Sequence, residues 1–232
     1  MFYSRRNNIA LAHFPKTAGT SLVRWFASVF PDAAYLDAER THLNVRRSLR
    51  LLGVPGCGGL RLFNPVAWLA PSRPSAEDRP LRIIGVLREP FEMLVSLYEF
   101  WGRTPMGTGI HPFIESARSG TFRDFLWMAV VQKKIGNYED FFDTAGVAWS
   151  NTRLIDFASL DAGLAAVCDE FGIRRGPRLE RLNAGTGRQR NLAAYQAEAG
   201  TLISNVHSHF RWYYEHGVHL MVRGAGALRA AA

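Results

Sequence analysis

Runs of apolar residues separated by short polar turns predict strands that feed directly into helices. Residues 8–14, NIALAHF, form a largely apolar run of strand length. After a short polar turn, TSLVRWFASVF (20–30) places Leu22, Trp25, Phe26 and Val29 on one helical face, and Pro31 stops it. AAYLDA (33–38) predicts a short second strand, and LNVRRSLRLLG a helix after it. LRIIGVL (81–87) is the strongest strand pattern; it runs into REPFEMLVSLYEFW, a helix opened by Pro90 where proline's missing N–H costs nothing. Residues 121–135 predict a helix with a broad apolar face, and TRLIDF (152–157) predicts a strand. A helix follows from Ser159 as N-cap to Gly172 at its end, and 201–217 form a final amphipathic helix. Alternation of this kind predicts an α/β fold, a parallel sheet flanked by helices.

Between these elements lie a Gly- and Pro-dense connection at 53–80, a Gly-rich loop at 102–112 and a basic loop at 181–191. With 232 residues and no internal repeat, the chain predicts one domain over 1–222 and a frayed tail at 223–232. An apolar fraction of 47% and a charged fraction of 21% exclude a disordered chain. Cys57 and Cys168 make no disulfide framework, and no Cys/His spacing suggests a metal site. The apolar stretch near the start is too short for a signal-peptide core, and no run is long enough to span a membrane. A reducing, cytoplasmic setting with no transmembrane segment is the expectation. Net charge is +8, which favours anionic partners.

That charge is carried mostly by arginine, the only lysines being Lys16, Lys133 and Lys134. Lys16 stands in HFPKTAGTS (13–21), between the first strand and the first helix. A strand-to-helix turn aims backbone N–H groups and the positive end of the helix at one point, which suits an anion. Gly19 would let the main chain approach a ligand; Thr17, Thr20 and Ser21 offer hydroxyls; Lys16 adds a full charge. His13 is expected to shape the end of the strand. An ordinary turn capped by Thr20 or Ser21 is the plainer alternative. Lys16 precedes the only glycine of the motif, whereas a Walker A loop places its lysine after the second one.

PKTAGTS resembles the 5′-phosphosulfate loop of sulfotransferases that use 3′-phosphoadenosine 5′-phosphosulfate (PAPS), and the longer HFPKTAGTSL is most similar to the carbohydrate branch, with its heparan- and chondroitin-type enzymes. VLREPFEMLVSLYEF resembles that family's 3′-phosphate motif, a strand ending in Arg88 followed by a helix carrying Ser96. Unaided, Arg88 would be assigned an ion pair with Glu89 or Glu92, and Ser96 a packing role. The resemblance implies a P-loop-like sulfotransferase fold and transfer of a sulfuryl group from PAPS to an acceptor hydroxyl, releasing adenosine 3′,5′-bisphosphate (PAP), with no metal required. It assigns donor binding to Lys16, Thr17, Ala18, Gly19, Thr20, Ser21, Arg88 and Ser96. The implied acceptor is a carbohydrate or glycoconjugate, with a phenolic or alcohol metabolite as the alternative. Arg188 and Arg190, in the basic loop, become candidates for further phosphate contacts.

Charge grows on the bridging oxygen as the S–O bond breaks, and Lys16 is the group expected to meet it. The acceptor hydroxyl needs a base. His42, in ERTHLNVRR, resembles the family's Gly-His segment, although Thr41 stands in place of Gly; His111 is the second candidate. Trp68 and Trp101 could stack on an acceptor ring or fill the core. Three other readings stay open. The chain could be a P-loop nucleotide kinase, with TRLID as a Walker B-like strand ending at Asp156. It could be a nucleic-acid-binding module built on NVRRSLR and GIRRGPR, although it carries no recognised motif of that kind. A sulfotransferase-like chain that binds nucleotide without chemistry is the third.

Overall fold

A computed structural model of the chain describes residues 1–54, 80–104, 112–144, 149–180 and 191–222. Six strands form one sheet in the order β3-β1-β2-β4-β5-β6. Its centre is parallel: β2 (Ile9–His13) beside β4 (Arg82–Leu87), β4 beside β5 (Thr152–Asp156), and β5 beside β6 (Met221–Val222). The expectation of a wholly parallel sheet is corrected at one edge. There β1 (Phe2–Ser4) pairs antiparallel with β2, and the two-residue β3 (Ala34–Tyr35) pairs antiparallel with β1, so the sheet is mixed. The cause is local. Residues 5–8, RRNN, turn the chain back between β1 and β2 with Asn8 at φ 46, a conformation asparagine tolerates better than most residues.

Strand side chains alternate between two apolar layers. Ile9, Leu11, Ile84, Val86 and Ile155 face α1 (Gly19–Val29) and α7 (Leu160–Phe171). Ala10, Ala12, Ile83, Leu87 and Leu154 face a larger, aromatic-rich layer. Into it pack α2 (Val45–Leu51), α3 (Pro90–Gly102), α4 (Pro112–Ser119), α5 (Phe122–Leu126), α6 (Tyr138–Phe142) and α9 (Leu202–His209), while α8 (Leu192–Ala199) contributes Ala199. Both layers are built as the apolar spacing requires, with Leu22, Trp25 and Phe26 buried on α1.

Two predicted helices are interrupted. The one expected over 121–135 is α-helical only for five residues, behind a Thr121–Asp124 capping box, and then widens into a π-turn at Trp127–Val131. The one expected over 201–217 stops at Phe210 and resumes as a π-turn, Tyr213–Gly217, before α10 (Val218–Leu220). Just ahead of the second π-turn and at its first residue, Phe210 and Tyr213 both pack on Tyr138. At α7, Ser159 holds the cap position but makes no capping bond, and its Oγ is buried with no partner. Gly172 ends that helix at φ 60, as predicted.

No helix among the described residues is long and apolar enough to cross a membrane. The 223–232 tail, the basic loop with Arg188 and Arg190, most of the 53–80 connection with Cys57 and Trp68, and His111 lie outside the described residues.

Candidate functional site

Three parallel strands end side by side, with His13, Val86 and Leu87, and Asp156 in register across β2, β4 and β5. Ligands of open α/β sheets bind beyond such carboxyl ends. The turn leaving β2 is unusual in its backbone. Lys16 and Ala18 both have positive φ, 64 and 62, although neither is glycine. Each costs energy that an ordinary connection would not spend, and alternating φ signs turn successive N–H groups inward as an anion-binding concavity. Ala18 is the N-cap of α1, and no side chain caps it. The first-turn N–H groups of α1 have no intrahelical acceptor, so they face the ligand side of the turn.

The predicted hydroxyls separate in the structure. Thr17 is fully buried and donates its Oγ1–H to Phe14 O at 2.7 Å, so it fastens the turn and is not an outward donor. Ser21 is buried on α1, while Thr20 is exposed at the start of the helix. Capping by Thr20 or Ser21 does not occur. Gly19 is required for packing: a Cβ there would lie 2.4 Å from His13 Cδ2. The His13 ring behind it gives glycine a packing reason at this position, beside the expected approach of a ligand.

Arg88 is brought to Lys16. Its Nη1 donates to Lys16 O at 3.3 Å, its Nη2 lies 3.6 Å from Glu92 Oε2, and its guanidinium sits 4.4 Å from the centre of the Phe157 ring. Only 8% of the side chain is exposed. Main-chain atoms of Arg88 are pinned from the other layer by buried Tyr138, whose hydroxyl donates to Arg88 O at 2.8 Å and accepts from Arg88 N at 3.4 Å. Burial pushes that phenol's pKa upward, so it stays a donor. Glu89 caps α3 through Glu92 N at 2.7 Å and accepts from Tyr214 Oη at 2.8 Å. The ion pair to Glu92 expected of an unaided Arg88 is therefore present, and with it a brace on the Lys16 turn. Ser96 is buried on α3, one turn before Phe100, whose ring lies 4.1 Å beneath Lys16 Nζ.

His42 lies on the other side of the turn. Its Nδ1 is 3.3 Å from His13 O, and its ring packs edge-on against His13 with centroids 4.7 Å apart. A carbonyl only accepts, so the neutral His42 ring carries its proton on Nδ1 and leaves Nε2 as a lone pair. The residue as a whole is exposed, while burial of its inner edge lowers its pKa. His13 is 4% exposed, and burial together with the neighbouring His42 brings its pKa down to about 3. Its Nδ1 is buried without a partner. Sequence reading gave His13 only a shaping role; the structure makes it the wedge between His42 and Gly19.

Chemically, the arrangement joins a cationic, N–H-rich turn to the His42 imidazole, which packs on the His13 that leads into it. Phe100, Phe157 and Tyr138 belong to it and were not anticipated; Phe100 alone left a trace, four residues after Ser96 on the same helix. Asp156, the Walker B-like candidate, spends one carboxylate oxygen on Ala158 N at 2.9 Å. Among the described residues no group of three or more His, Cys, Asp or Glu side chains is placed to hold a metal ion. Comparison with protein-family models, with curated proteins and with solved structures found no match in any of the three.

Proposed function

We propose that the chain is a PAPS-dependent sulfotransferase with a P-loop-like sulfotransferase fold, moving a sulfuryl group to an acceptor hydroxyl on a carbohydrate or glycoconjugate and releasing PAP. The observation that carries the proposal is the meeting of the two motifs: the strained turn bearing Lys16 and the strand end bearing Arg88 come from distant parts of the chain and touch at the sheet's carboxyl edge. Pairing of β2 with β4 brings the two strand ends together, and the residues that touch there are the two that the motifs single out.

In this reading the 5′-phosphosulfate lies over the first turn of α1, held by backbone N–H groups of residues 18–21. Lys16 supplies charge to the bridging oxygen as the S–O bond lengthens, where a fixed cation lowers the barrier most. His42 Nε2 takes the acceptor's proton as the new S–O bond forms; its lowered pKa keeps it neutral and competent at pH 7. Arg88 holds the Lys16 carbonyl and is nearly buried, so its contribution is first to the shape of the turn and second to the 3′-phosphate at its rim. With Asp156 engaged in a local cap and Arg46 and Arg175 paired to Asp143 and Asp169, the kinase and nucleic-acid readings draw less support than this one.

The test is calorimetry with PAP, followed by transfer of labelled sulfate across sugar and phenol acceptors. Lys16→Ala is expected to lower kcat at least 100-fold, on the order of one lost transition-state donor. His42→Ala should lower it by roughly 100-fold or more and abolish the acidic limb of the pH profile. Absence of heat with PAP on folded protein rejects the proposal.

A further inference from the structure

The backbone of Lys16 is held by Arg88 Nη1, and its side chain extends to the helix that Arg88 introduces. There Nζ stands 4.1 Å from the centroid of Phe100, a ring with 48% of its surface exposed. The positive φ of Lys16 sends the side chain away from the path a helical residue would take. A flexible four-carbon stem carrying the site's point charge is thus confined at both ends by one structural unit, β4–α3.

We infer that Phe100 is a positioning residue for Lys16: its ring holds the ammonium beside the anion turn while the site is empty and yields it to a phosphate or sulfate oxygen when one arrives. The strengths suit a hand-over. A cation–π contact at exposed surface shifts an equilibrium by about two- to five-fold, enough to bias a mobile side chain. A charge-assisted hydrogen bond to an oxyanion is stronger, so the anion wins. The inference rests on the sulfotransferase reading only for which anion is the natural one.

With three lysines in the chain, the experiment is direct. Protein labelled with 13C at the lysine ε-carbons gives three ε-CH2 signals, and the Lys16→Arg spectrum assigns one of them. The Lys16 signal is expected upfield of the other two, displaced by the Phe100 ring current. Phe100→Leu should return it to the ordinary lysine position, while Phe100→Tyr and Phe100→Trp should keep it upfield; circular dichroism establishes that each variant is folded. Titration with inorganic phosphate, and separately with PAP, should collapse the displacement in the wild type. A Lys16 signal at the ordinary position in free protein, or one unmoved by Phe100→Leu, overturns the inference, as does a displaced signal that neither anion moves. Collapse with phosphate but not with PAP supports Phe100 and sinks the sulfotransferase reading, so the two fail separately.

Discussion

His13 is a buried, neutral imidazole at the end of the central strand, and that gives the fold's response to acid a definite sign. Its pKa in the folded chain is about 3, against 6.5 for an unburied histidine. Between those values the unfolded chain binds the proton and the folded chain does not, so stability falls as pH drops from 6.5 towards 3 and is complete above 6.5. One group titrating in this way contributes a slope of about 1.4 kcal/mol per pH unit. Urea unfolding of His13→Leu at pH 7 and at several points below 6 should therefore show a shallower loss than the wild type; equal slopes would remove His13 as the cause. His42 and His209, also lowered by burial, keep part of the slope in both proteins. None of this was legible in HFPKTAGTS. The residue types that bind an anion can be read from a line of sequence, but a histidine's burial is set by His42 and Gly19, and only the fold brings those to it.

At the scale of elements, α1 is positioned through Gly19. Alanine is the better helix former by about 1 kcal/mol in a helix interior, yet here its Cβ would stand 2.4 Å from His13 Cδ2 and 3.0 Å from Nε2. The ring is buried and packed against His42, so either it or the helix start must shift. Overpacking of this kind costs about 1–3 kcal/mol. Gly19→Ala is expected to lower Tm despite its propensity and to weaken PAP binding at least tenfold, on the order of the 1.4 kcal/mol that one displaced contact represents; unchanged affinity would show that His13 does not anchor the turn. Elements with a strong period, from the central strands to α1, α3 and α7, were legible because burial on one face leaves that period in the sequence. The π-turns were not. The second begins at Tyr213, whose ring, with that of Phe210, meets Tyr138, a contact between segments about seventy residues apart. Nor were α4, α6 and α8, which have eight, five and eight residues.

Across the whole molecule, the net charge of +8 bears on how the proposed anionic donor would arrive. Raising ionic strength from about 0.01 M to about 0.15 M contracts the screening length from about 30 Å to about 8 Å. Association of PAP should slow across that range while its dissociation changes little, and adenosine, which carries no phosphate, should show no such dependence in stopped-flow measurements. A salt-independent association rate would mean that the site's local charges, and not the overall field, govern entry. At this scale the α/β class was legible and the sheet's antiparallel edge was not. The strand anticipated at 33–38 contains β3, but its direction was not readable; the three residues of β1 are too few to alternate visibly, and the RRNN turn that reverses the chain resembles any basic surface segment.

Those same brief strands settle what the sheet offers to its neighbours. Among the described residues its two rims, β3 and β6, are two residues long apiece. A foreign strand would find only a couple of backbone groups to zip onto at either margin, far short of the ladder that fibril growth propagates along. Among the described residues, the sheet's two end strands therefore give cross-β assembly little to template on.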